Sequence, residues 1–83
     1  MLTLQFYTRK DCSLCDSALA VVRRVQNRLP FALEIVDIDQ SPELAVRYGT
    51  AIPIVISGST ELARSFVDEK KLILALEKIA SPA

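Results

Sequence analysis

The chain has 83 residues, 51% of them hydrophobic, and its ten basic and ten acidic side chains cancel. That size and balance predict one globular domain spanning 1–83, neither disordered nor built to grip nucleic acid or an anionic membrane through a basic stripe. No basic leader with a sustained apolar stretch precedes Phe6, and no apolar run nears the roughly 20 residues needed to cross a bilayer, so the cytoplasm is the expected location.

Leu2, Leu4 and Phe6 alternate with Thr3, Gln5 and Tyr7, the period of a strand. After a polar break at Thr8–Asp11, Cys15, Ala18, Val22, Val25 and Leu29 recur at helical spacing. Leu14, Leu19 and Val21 widen that apolar face. The spacing predicts a helix from about Cys12 to Leu29, with Asp11 as its cap, arginines at its C-terminal end and Pro30 closing it. Phe31, Leu33 and Ile35 alternate and lead into Val36-Asp37-Ile38-Asp39, a second strand. Ser41-Pro42-Glu43 is a helix start with serine as N-cap and proline in the first turn. That helix runs to about Tyr48 and stops at Gly49, read as a left-handed terminator.

Ile54-Val55-Ile56 is a buried strand, Ser57-Gly58-Ser59-Thr60 a turn, and about five residues from Glu61 the hairpin partner. Asp68 caps a last helix, with Val67 and Leu72 spaced as a hydrophobic staple and Leu72, Ala75, Leu76 and Ile79 as the inner stripe. Ser81-Pro82-Ala83 reads as a frayed end. A helix between the first two strands implies a parallel, right-handed crossover, and the short turn at Gly58 an antiparallel pair. The expected fold is α/β: a four-stranded mixed sheet with helices on both faces in the order β-α-β-α-β-β-α.

Cys12-Ser13-Leu14-Cys15 carries the sharpest chemistry. The motif follows the first strand and opens the first helix, the context in which a Cys-x-x-Cys pair does redox work. One helical turn brings both sulfurs to the same end, near disulfide distance. Unpaired N–H groups and the helix dipole favour a thiolate at Cys12, the attacking species. Cys15, on the apolar face, is expected to be more buried and to act as the resolving thiol. Arg9 and Lys10 would lower the Cys12 pKa, and Asp11 and Asp16 would raise it.

With these residues in hand, the chain resembles the glutaredoxin-like branch of the thioredoxin-fold superfamily, in particular its short bacterial members. The resemblance rests on Phe6-Tyr7-Thr8-Arg9, the Cys12–Cys15 motif, Val36–Asp39 with Pro42-Glu43-Leu44 and Tyr48-Gly49, and Ile52-Pro53-Ile54-Val55. It implies a dithiol oxidoreductase without a tightly bound cofactor, taking protein or small-thiol disulfides, with glutathione as a candidate co-substrate and a monomeric state. Cys12 maps to the nucleophile, Cys15 to the resolving thiol and Pro53 to a cis-proline that turns the Ile52 backbone toward a peptide or glutathione. Arg9 falls where the family often places a lysine for the glutathione carboxylate, and Tyr7 beside the site.

The chain departs from the family in two places. Ser13-Leu14 replaces the usual Pro-Tyr. Leu62-Ala63-Arg64-Ser65 stands where a Gly-Gly-x-Asp segment would anchor glutathione. Ala63 and Arg64 are bulkier where backbone must approach a ligand closely, so slow turnover with glutathione is expected.

The other readings are plainer. One subunit lacks the four ligands of a closed zinc site, having no histidine and two cysteines, so no metal site is expected in it. Two copies could pool their cysteines around a metal or, with glutathione thiols, an iron–sulfur cluster, which would make the chain a binding module. Without histidine no Ser–His or Cys–His hydrolase is possible. Tyr7 and Tyr48 read as packing residues, and Arg23, Arg24 and Arg28 as a solvated helix face. Arg64 reads as site rim or solvent. Asp37 and Asp39 read as satisfying a strand end and the turn after it.

Overall fold

The computed structural model describes residues 2–80; the Ser81-Pro82-Ala83 end lies outside them. Its elements are β1 (Thr3–Thr8), α1 (Ser13–Arg28), β2 (Ala32–Asp37), a 3-10 turn (Ile38–Gln40), α2 (Pro42–Tyr48), β3 (Ile54–Ser57), β4 (Thr60–Arg64) and α3 (Glu69–Ala80). The sheet order is β2-β1-β3-β4. β1 and β2 run parallel across the α1 crossover, and β1–β3 and β3–β4 are antiparallel. Gly58, at φ +61°, makes the tight turn between β3 and β4, where a side chain would be strained.

The register sorts the sheet into two faces. Phe6 lies opposite Val55 and Tyr7 opposite Ile54, so Leu4, Phe6 and Val55 share one face and Tyr7, Ile54 and Ile56 the other. α2 covers the second face: the Tyr48 ring meets the Tyr7 ring edge-on, centroids 5.1 Å apart. α1 and α3 lie together, bridged at the surface by Arg24 and Glu69, and cover the first face with Cys15, Ala18, Val22, Val25, Leu72 and Leu76 buried. Leu4, Phe6, Ile38 and Ile54 are fully buried in the same apolar cluster.

Several expectations need correction. Cys12, not Asp11, is the N-cap of α1; Asp11 sits at φ +57° in the turn before it. β2 ends at Asp37, because Ile38 and Asp39 turn into 3-10 geometry. Gly49 is not left-handed: it has φ −54°, ψ −31°, and its lack of a side chain is explained by the Ala45 carbonyl, 2.5 Å from where a Cβ would stand. Leu14 is 63% exposed, since the first turn of α1 projects it away from the sheet. Ile79 is 40% exposed near the end of α3, and Ile35 46% exposed on edge strand β2, where cover runs out.

Candidate redox site

The site begins with a cap. Cys12 is extended, with φ −111° and ψ 99°, and its Sγ accepts the Cys15 backbone N–H at 3.2 Å, while its carbonyl accepts from Asp16 N–H at 3.1 Å. Sulfur here occupies the position of a capping oxygen. One turn later Cys15 faces the core and is 1% exposed, whereas Cys12 is half-buried at the helix mouth. Their Cα atoms are 5.2 Å apart and the two are joined as a disulfide. The less buried cysteine is thus the one at the helix N-terminus, the end at which backbone N–H groups and the helix dipole favour negative charge.

Apart from the cysteines, the segment Ala51-Ile52-Pro53 is buried throughout, with a cis Ile52–Pro53 bond. Ala51 and Ile52 N–H groups donate to the Tyr48 carbonyl at 2.9 and 3.1 Å. From the other side Ser65 N–H donates to the Pro53 carbonyl at 2.8 Å, and Ser65 Oγ to the Ala51 carbonyl at 3.1 Å. Ser65, held at φ +66°, braces this segment through those two hydrogen bonds, and sequence reasoning did not single it out. A serine in a polar turn carries no local mark; only the fold brings position 65 beside 51 and 53.

Arg9 is engaged within the chain. Its Nε and a terminal nitrogen donate to Asp39 Oδ2 and Oδ1 at 3.1 and 2.5 Å, and the other terminal nitrogen donates to the Gly49 carbonyl at 3.4 Å. Hydrogen bonding from Arg9 holds the Asp39 carboxyl below the usual carboxylate range, aided by the guanidinium charge and opposed by burial. The same hydrogen bond and charge raise the Arg9 pKa. Asp37 and Asp39 were expected to satisfy the strand end and the turn after it; Asp37 does so, its Oδ1 accepting from Asp39 N–H at 2.9 Å, while the Asp39 carboxylate is taken up by Arg9. Arg64 is bound by Glu61 through two hydrogen bonds of 3.1 and 2.7 Å, which lower the Glu61 pKa.

Tyr7 is half-buried against Tyr48, and the fold brings together the two cysteines and, separately, Ile52 and Pro53. Leu14 and Phe66, 63% and 72% exposed, line a shallow apolar groove of about 170 Å³ along α1 with Ala18, Val21 and Val67. Among the described residues no cluster of three or more His, Cys, Asp or Glu side chains could hold a metal, and no helix is long and apolar enough to cross a membrane.

A Cys-x-x-Cys disulfide at the mouth of the first helix, on a four-stranded mixed sheet with three helices, defines a thioredoxin-fold dithiol protein. Residues 3–77 match the family described as Glutaredoxin-like domain (DUF836), and the chain belongs to that family. It is 33% identical over 79 residues, 90% of its length and 92% of the relative's, to a protein named thioredoxin from Methanocaldococcus jannaschii. An X-ray structure of a structural-genomics target from X. campestris superposes with a TM-score of 0.77 at 30% identity, over 95% of this chain and 99% of that one. Thioredoxin 1 of Thermosipho africanus shares the fold, with a TM-score of 0.66 at 17% identity over 93% and 92% of the two chains.

Proposed function

We propose that the chain is a glutaredoxin-like thiol–disulfide oxidoreductase of the cytoplasm. In the reduced chain the Cys12 thiolate attacks one sulfur of a substrate disulfide. A mixed disulfide forms and one substrate thiolate leaves, taking a proton from solvent. Cys15 then loses its proton and attacks Cys12 Sγ, expelling the second substrate thiolate. The substrate gains two electrons and the chain becomes the Cys12–Cys15 disulfide. An external thiol returns it to the dithiol. The observation that carries this reading is the unequal burial of two bonded sulfurs, one open to attack and one reachable only from its neighbour.

Substrate backbone would lie along Ile52 and Pro53 with Tyr7 at the edge. Arg9 could meet a substrate carboxylate only by leaving Asp39. The apolar side chains of Leu14 and Phe66 favour a polypeptide disulfide over a small ionic one. Ala63 and Arg64, where a glycine pair would admit glutathione, leave glutathione as a slow reductant and no tightly bound cofactor is needed. The working unit in this reading is a monomer.

The test is exchange with a protein disulfide such as that of insulin. Cys12→Ser should abolish reduction, and Cys15→Ser should accumulate a stable mixed disulfide visible as an added mass on a non-reducing gel. Equal residual activity in the two variants would refute the roles.

A further inference from the structure

The two walls of the proposed site come from separate stretches of chain. Cys12 ends the loop that leaves β1, and Ile52–Pro53 lies in the segment after α2. One side chain reaches from the first wall to supports of the second. Arg9, three residues before Cys12, donates to both Asp39 oxygens and to the Gly49 carbonyl. Asp39 is itself fixed, because its N–H is held by Asp37. Gly49 follows Tyr48, whose carbonyl holds the N–H groups of Ala51 and Ile52.

We infer that Arg9 is a positioning residue: with Asp39 and Gly49 it clamps the Cys12 loop to the segment bearing Ile52 and Pro53, and so sets the approach of the attacking sulfur to a substrate lying on that segment. This rests on the thiol–disulfide exchange proposed above. Sulfur must attack nearly in line with the S–S bond it breaks, so a loop free to shift loses rate even with a fully ionised thiolate. The forked, two-oxygen pairing is suited to this task, since a guanidinium fixes direction as well as distance where an ammonium would act as a point charge. Asp39 also cancels the Arg9 charge, so the clamp adds geometry to the site and little net field.

The test uses the full chain with a neutral disulfide, hydroxyethyl disulfide, and an anionic one, glutathione disulfide. Arg9→Lys keeps the charge and loses the fork; Asp39→Asn keeps the shape and loses the charge. Each should slow single-turnover exchange with both disulfides about tenfold. The double variant should be no slower than either single one, and in Arg9→Lys, which keeps the charge, the pH midpoint for Cys12 alkylation by iodoacetamide should stay at the wild-type value. Should one variant fail to fold by circular dichroism, the other carries the same comparison.

The clamp is overturned if either folded variant exchanges at the wild-type rate, or if the alkylation midpoint of Arg9→Lys moves enough to account for the loss, which would make Arg9 an electrostatic group. It is also overturned if Asp39→Asn speeds reaction with glutathione disulfide while Arg9→Lys slows that substrate alone, which would make Arg9 a carboxylate ligand. If the wild-type chain is inert toward both disulfides the same comparison is made on insulin, and a chain inert toward insulin as well overturns the exchange reading itself.

Discussion

In the proposed exchange, Cys12 performs two tasks with one atom. Its sulfur closes the N-terminus of α1 by accepting the Cys15 N–H, and the same placement leaves it at the helix mouth where a substrate can reach it. An ionised sulfur accepts that N–H better than a thiol does, so capping and activation favour the same protonation state. Asp39 has a simpler electrostatic role with a pH signature. Its pKa in the folded chain lies below the unfolded value, chiefly through its hydrogen bond with Arg9. The contribution of the pair to stability is therefore complete above the ordinary carboxylate range. It shrinks as pH falls from there and is gone once Asp39 is protonated in the folded state. The difference in urea stability between the wild type and Asp39→Asn should be constant near neutrality and vanish in strong acid. High salt should also diminish it, as the Arg9 side chain is 35% exposed.

At the scale of elements, the helices begin with side-chain caps that hold them in register with the sheet. Ser41 Oγ accepts from Leu44 N–H at 3.4 Å, and Asp68 Oδ1 from Lys71 N–H at 2.9 Å. The Asp68 bond matters more, because the buried pair Val67 and Leu72 brackets it and ties the start of α3 to the turn that contains Ser65. Asp68→Ala should cost about 1 kcal/mol in chemical denaturation, the usual loss for a helix cap. A null effect would mean that apolar packing alone sets where α3 begins. Both caps were legible in the sequence, because capping depends on residues within one turn of each other. Asp11 misled for the same reason: an acid in front of an apolar repeat is a good cap by its neighbours, but the chain turns through φ +57° there and leaves the position to Cys12.

Across the whole molecule, the core is continuous from α1 through the sheet, with Phe6, Leu4, Val22, Ile54 and Leu76 all within it, and the disulfide lies at its rim. The Cys12–Cys15 bridge closes a ring of four residues, too short to restrict the unfolded chain greatly. In the loop-entropy account such a ring contributes about 2 kcal/mol at most. The reduced chain should therefore stay folded, with urea unfolding under dithiothreitol shifted by no more than that amount. Unfolding on reduction would show that the apolar core is not self-sufficient, and would be hard to reconcile with a pair that cycles between two redox states.

The sequence by itself determined the order of elements, the parallel crossover and the Cys-x-x-Cys pair at a strand-to-helix junction. Those follow from periodicity, capping and turn chemistry acting over a few neighbouring residues. It could not decide which apolar side chains remain in solvent: Leu14 and Ile79 satisfy helical spacing yet lie where no layer covers them. Nor could it join Arg9 to Asp39, thirty positions away, or Ser65 to Ala51 and Pro53. Those partners are set by the strand order β2-β1-β3-β4, which brings the ends of distant segments together, and no property of the separate segments encodes that meeting.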